Sequence, residues 1–139
     1  MPSIFTRIIN GELPGHFVWK DAEAVAFLTI QPIRDGHLLV IPRAEIDHWD
    51  DLPEALSNHL MSVSQRITKA LKAVYPCKRV GLIIAGLEVP HTHIHLLPID
   101  ELSDLSFAAA HAASAESLQA NAEQIRAALR QLGYAEANC

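Results

Sequence analysis

Cysteine is scarce: Cys77 and Cys139 are the only two in 139 residues. Two thiols cannot build a disulfide framework, and the second is the last residue, where chain order is poor, so both read as incidental. Long apolar runs are missing too. No stretch approaches the roughly 20 residues of a membrane span, so no membrane partner is expected. Nor is there an excess of basic charge, with 11 Lys and Arg against 16 Asp and Glu and a net charge of −5. Proteins that grip a nucleic-acid backbone usually carry a basic surface, so no nucleic-acid polymer is expected as a partner. A small anionic ligand would have to be held by local donors such as backbone amides, helix N-termini and imidazolium. The chain start shows no basic segment followed by an apolar one, the pattern of a secretory signal, and cytoplasmic residence is the default expectation. Repeats, linkers and low-complexity stretches are absent.

What remains is globular in character. Half the residues are hydrophobic and 19% are charged, a composition that argues against disorder. The length predicts one domain, residues 1–139, with a single sizeable core.

Histidine is what the chain has in quantity, eight in all, and three of them alternate in Val89-Pro90-His91-Thr92-His93-Ile94-His95-Leu96-Leu97-Pro98. Strand side chains alternate between faces, so an extended run puts His91, His93 and His95 on one face and Thr92, Ile94 and Leu96 on the other. Pro90 and Pro98 bracket the run and predict a short strand. Neighbouring histidines would have Cα atoms roughly 6.7 Å apart, twice the strand rise. Two full charges there repel by about 2.5 kcal/mol at an effective dielectric near 20. The row should therefore mix neutral imidazole, a nucleophile, with imidazolium, which binds phosphate and donates protons. A metal-binding β-protein is the competing reading, since strand histidines two apart can hold zinc. Against it, a straight strand splays its third ligand away, and no cysteine or carboxylate lies inside the motif.

The rest of the chain reads in order. Ile4, Phe5, Ile8 and Ile9 recur at helical spacing before Asn10-Gly11 breaks the turn. Residues 17–20 and 24–29 predict two strands around an Asp21-Ala22-Glu23 turn, and residues 37–41 a third after Asp35-Gly36, which together imply an antiparallel meander. Residues 51–74 predict a long amphipathic helix with Asp51 and Glu54 at capping-box spacing and Pro53 in the first turn. Residues 79–85 are so aliphatic that they predict a central strand buried on both sides. Residues 105–113 are ambiguous, with Phe107 reaching either a neighbour or a pocket rim. Ser114 as N-cap, a Leu118, Ile125, Leu129 and Leu132 stripe and Gly133 beyond the end predict a second helix.

The triad run resembles the His-φ-His-φ-His-φ-φ signature (φ apolar) of the histidine-triad (HIT) family of nucleotide hydrolases and transferases, with Thr92 at the first apolar place. Residues 3–14 are similar to that family's N-terminal segment, and Gly36-His37-Leu38-Leu39-Val40-Ile41-Pro42 to the strand before its long helix. The resemblance implies an α+β fold of about five mostly antiparallel strands, one long packed helix and a C-terminal helix, with a core over residues 1–100 and a helical extension over 101–139. It implies a small-molecule nucleotide substrate attacked at the α-phosphate by His93 through a covalent nucleotidyl-histidine. His91 and His95 would stabilise charge and handle protons, and His37 would stand behind the triad. Ile4, Phe5 and Ile8 would contact the base; Thr29, beside Phe27, Leu28 and Ile30, would lie at the ribose. Leu87 and Glu88 stand where the family commonly has glutamine and a hydroxyl that hold phosphate. Many relatives have cysteines at the places of Ser3 and Thr6 and bind a structural zinc there; hydroxyls are poor zinc ligands, which predicts that site absent. No cofactor is implied, and pairing as a homodimer is. A catalytically weak nucleotide-binding or scaffold protein on the same fold is the alternative.

Overall fold

The computed structural model describes residues 1–139. Ile4–Ile9 forms α1, with the Ser3 side chain accepting from the Thr6 amide as its N-cap. Five strands follow: β1 (Phe17–Lys20), β2 (Ala24–Leu28), β3 (Leu38–Pro42), β4 (Arg79–Ile83) and β5 (Ile94–Ile99). Every pairing is antiparallel, in the order β1-β2-β3-β5-β4. The β1–β2 hairpin is closed by Asp21, whose Oδ1 accepts from the Glu23 and Ala24 amides while Oδ2 accepts from the Trp19 indole. Beyond β3, the 21-residue α2 (Glu54–Val74) crosses the sheet to reach β4 at the far edge.

One face of the sheet carries α2 and α3 (Ala115–Gln131). Ala24, Ala26 and Leu28 of β2, Leu38 and Val40 of β3, and Ile94 and Leu96 of β5 pack there with Leu60, Val63, Ile67, Leu71, Ile125 and Leu129. Arg126 of α3 ties the packing to β1 by donating to the Phe17 carbonyl at 2.7 Å. On the opposite face Phe5 of α1 meets Val25, Phe27, Leu39 and Ile41, and Ile33 meets Leu97 and Ile99. The odd-numbered positions of β5 lie on this second face.

Several sequence expectations are corrected. β4 is an edge strand, paired only with β5 and with its outer residues exposed, rather than a central one. Aliphatic content reports a face that avoids water, and an edge can be just as aliphatic when another surface covers it. The Asp51–Glu54 capping box does not form: residues 49–51 make a 3₁₀ turn, and Pro53 precedes α2 with no side-chain cap. Proline's fixed φ already suits the helix entry, which makes the cap dispensable. The triad strand begins at Ile94 and includes Pro98. β3 pairs with β5 only through Ile94 to Leu96, so Pro98 sits where β5 is open on that side, a position proline tolerates.

Candidate active site

The second face is polar where β5 meets β3. Opposite Leu39 stands His95, and directly before the strand come His91, Thr92 and His93. A cleft of about 360 Å³ opens over His93, His95 and His37. Thr29 and Gln31 flank it on one side, residues 85–88 on a second, and Phe107 and Ala110 on a third.

Each histidine is held by groups that fix which ring nitrogen carries the proton. The Ile33 amide donates to His37 Nδ1 at 3.0 Å. His37 must then carry its proton on Nε2, which lies 3.0 Å from His95 Nδ1. His95 Nδ1 therefore accepts, and its own proton sits on Nε2, which no protein group takes. His93 Nδ1 lies 2.8 Å from the His91 carbonyl, an acceptor only, so His93 donates there and keeps a bare lone pair on Nε2. The cleft thus receives one imidazole acceptor and one imidazole donor, with ring centroids 4.9 Å apart.

Burial keeps these rings neutral. It lowers the His37 pKa to about 4. Burial, followed by the neighbouring His93 and His37, lowers that of His95 to about 3. Burial also lowers His93, against a partial offset from the His91 carbonyl and the Glu88 carboxylate. For His93 and His95 the expected mixture of neutral and charged rings gives way to two neutral rings, because desolvation acts on both in addition to repulsion from neighbouring histidines.

His91 lies beside Phe5, as His93 does, but does not line the cleft. It is fully buried, with Nε2 donating to the Pro42 carbonyl at 2.8 Å and Nδ1 accepting from Ser3 Oγ at 2.7 Å. Both nitrogens of His91 are used inside the protein, which leaves it none to present to the cleft. His91 supports the site instead of lining it. Behind it, Glu45 Oε1 accepts from the Ser3 amide at 2.6 Å and the Thr6 hydroxyl at 2.7 Å. Those two donors hold the Glu45 carboxyl below its usual range.

The corner where the family resemblance implied zinc in many relatives holds Ser3, Thr6, Glu45 and His91. These residues do not fit that ion: hydroxyls are poor zinc ligands, and the His91 Nδ1 lone pair already accepts a hydrogen bond from Ser3 Oγ. Elsewhere no three His, Cys, Asp or Glu side chains come together to hold a metal.

The remaining expected contacts divide by the sheet's alternation. Thr29, Leu87 and Glu88 line the cleft. Phe5 meets His93 in a T-shaped contact at 4.8 Å between centroids and Phe27 at 5.9 Å, so both build an aromatic wall behind His93. Ile8 packs on that wall, while Ile4 and Ile30 are exposed. Leu28 is a correction: it points to the helix face and is buried in the main core, one residue out of phase with Phe27. Two features carried no sequence signal, the Ile33 amide and the Glu45 carboxylate, because each is recruited by a long-range fold contact. Phe107 reaches the pocket rim, its edge 4.8 Å from His95 between centroids. Gly36 admits His37 to its place: its φ is +90°, and a Cβ there would lie 2.6 Å from the Tyr75 ring.

A HIT domain model matches residues 10–102, two thirds of the chain and every residue lining the cleft except Phe107 and Ala110. This chain belongs to the HIT family. It is 36% identical over 100 residues to an uncharacterized HIT-like protein of Methanocaldococcus jannaschii, covering 68% of this chain and 77% of that one. It is 36% identical over 104 residues to an adenosine 5′-monophosphoramidase of Saccharomyces cerevisiae, covering 73% and 66%. The crystal structure of a zinc-bound histidine triad family protein from Mycobacterium smegmatis superposes with a TM-score of 0.80 at 27% identity, over 93% and 94% of the two chains. That superposition reaches beyond the 10–102 span of the matched domain model, and α3 lies outside that span. No helix of the chain is long and apolar enough to cross a membrane.

Proposed function

We propose that this HIT protein is a nucleotide hydrolase of the phosphoramidase type that works through a covalent nucleotidyl-histidine on His93. The observation that carries the reading is the pair of fixed tautomers, an Nε2 lone pair on His93 beside an Nε2–H on His95. The lone pair attacks the α-phosphorus and forms an N–P bond. His95 hydrogen-bonds the leaving nitrogen, which receives the electron pair of the breaking P–N bond and takes up one proton from solvent at the open cleft. Water then attacks the same phosphorus, the electron pair of the N–P bond returns to His93 Nε2, and the proton lost by the water goes to solvent. Splitting the displacement replaces one difficult step by two easier ones, and the neutral His93 ring carries no charge that must be removed before attack.

A similar protein is named as an adenosine 5′-monophosphoramidase, which supports an adenosine 5′-phosphoramidate as the first substrate to try. Incubation with that compound followed by rapid quench and intact-mass spectrometry should show one added nucleotidyl group, mapped to His93. Binding without any turnover or adduct would favour the scaffold reading, to which the loss of a polar side chain at Leu87 lends support.

A homodimer in the cytoplasm belongs to the same proposal. The open edge of β4 and the adjoining flank of α2 present Leu82 and Met61, 40% and 45% exposed, with Val80 and Leu96 in a shallow groove between them. A second copy would cover this apolar strip about a two-fold axis. Light scattering should give a mass near twice 15.3 kDa.

A further inference from the structure

Glu88 is the one feature of the cleft that the hydrolase reading leaves without a purpose. It is the only formally charged side chain lining the cleft, and no Lys or Arg lies there. No hydrogen-bond or ion-pair partner inside the protein takes its carboxylate, which stands exposed on the rim after the Gly86 turn. The carboxylate's field reaches the reacting position, since it acts on His93 in opposition to burial. The α-phosphate is thus met by neutral donors, and anything attached on the Glu88 side meets negative charge.

We propose that Glu88 makes the cleft select leaving groups that carry positive charge, specifically nucleoside 5′-phosphoramidates whose leaving amine bears a second, ammonium group. The proposal rests on the phosphoramidase reading and names its substrate class. Two physical arguments favour it. A leaving group made of further phosphates would bring several negative charges toward an unneutralised carboxylate, with no cation in the cleft to compensate. An ammonium a few bonds from the scissile nitrogen would instead pair with Glu88 and neutralise the anionic substrate locally. At an exposed rim, one such pair favours the cationic compound by about two- to fivefold.

The test compares two adenosine 5′-phosphoramidates of equal chain length, one ending in an ammonium and the other in a hydroxyl, with the unsubstituted protein, Glu88→Gln and Glu88→Lys. The unsubstituted protein should prefer the ammonium compound by about two- to fivefold in kcat/KM, with the preference shrinking as salt rises. In Glu88→Gln the ratio should fall to near one, and in Glu88→Lys it should invert, with diadenosine polyphosphate gaining. An equal ratio in the unsubstituted protein, or a preference that survives in Glu88→Gln, overturns the proposal. Should neither compound be cleaved, the phosphoramidase reading fails by itself. The charge preference is then read from the Kd values of the same two compounds by calorimetry, where equal values in the unsubstituted protein overturn it as well.

Discussion

On one face of the sheet, α2 and α3 press aliphatic side chains onto Leu38, Val40, Ile94 and Leu96. On the other, α1 and the loop after β2 close around His37, His93 and His95. Consecutive residues of β5 belong to these two regimes: Leu96 packs on the helices while His95 is addressed by His37 and Phe107. The helix face is held by volume and burial, which many side chains share. The histidine face is held by directed hydrogen bonds, each with one partner, so its side chains are fixed in tautomer as well as in place. Stability should reside mainly on the first face and chemistry on the second, and substitutions on either side can separate them.

The largest separation is expected at His93. His93→Ala removes the lone pair but leaves His37, His95 and the aromatic wall, so turnover should fall by about 10⁴-fold or more while nucleotide binding changes little. Kinetics together with calorimetry check this. Loss of affinity in parallel with rate would mean that His93 acts chiefly in binding. The converse probe is Ile67→Ala, a fully buried position on the helix face. It should destabilise by roughly 2–5 kcal/mol in urea unfolding while kcat at low temperature stays within a few-fold. A large fall in kcat for protein that remains folded would show that the two faces are mechanically coupled.

Acid should discriminate the faces next. His37 is held neutral by burial, its pKa lowered to about 4 from an ordinary 6.5. Between those values the unfolded chain binds a proton that the folded protein refuses. Stability is therefore full above about pH 6.5 and is lost as pH falls through 4, by roughly 3 kcal/mol for this group alone. His95 is in hydrogen-bonded contact with His37, and its share is not simply additive. Urea midpoints at pH 7 and pH 4.5 measure the loss. An unchanged midpoint would show that the rings protonate freely in the folded protein and that the tautomer lock is weak.

The helix face was the more legible in sequence, because burial against helices leaves a period: Leu60, Val63, Ile67 and Leu71 along α2, and Leu118, Ile125 and Leu129 along α3. The alternation of the triad likewise announced that chemistry and core share β5. What periodicity could not supply was the side from which each strand would be covered. The aliphatic run of β4 therefore predicts the sheet centre although the strand lies at the edge, and Leu28 is expected at the cleft although it faces the helices. Nor does spacing show which backbone groups will address a ring. The Ile33 amide and the Pro42 carbonyl bear no mark in the sequence, yet they decide the protonation of His37 and His91. The same holds for Glu45, which is 42 residues from Ser3 along the chain and reads from sequence as an ordinary solvated carboxylate.

The smallest effect expected is at Ser3, where the two kinds of support meet. Its hydroxyl donates to His91 Nδ1 and also accepts from the Thr6 amide as the N-cap of α1, so Ser3→Ala leaves a buried imidazole acceptor and a helix donor without partners. Each loss costs about 1 kcal/mol, and Tm should fall by several degrees. The rate should respond less. His91 keeps its bond to the Pro42 carbonyl, and its own carbonyl, which holds the His93 tautomer, belongs to the backbone. A two- to five-fold drop in kcat at constant KM is the outcome expected of a ring that has lost one of its two anchors, by analogy with the sensitivity of catalysis to small misplacements. Ser3→Thr, which restores the hydroxyl, should recover both measurements if the bond to His91 is the cause. If Ser3→Ala instead abolishes turnover while leaving Tm unchanged, His91 takes part in the reaction directly, and its burial in this structure would have to open during the catalytic cycle.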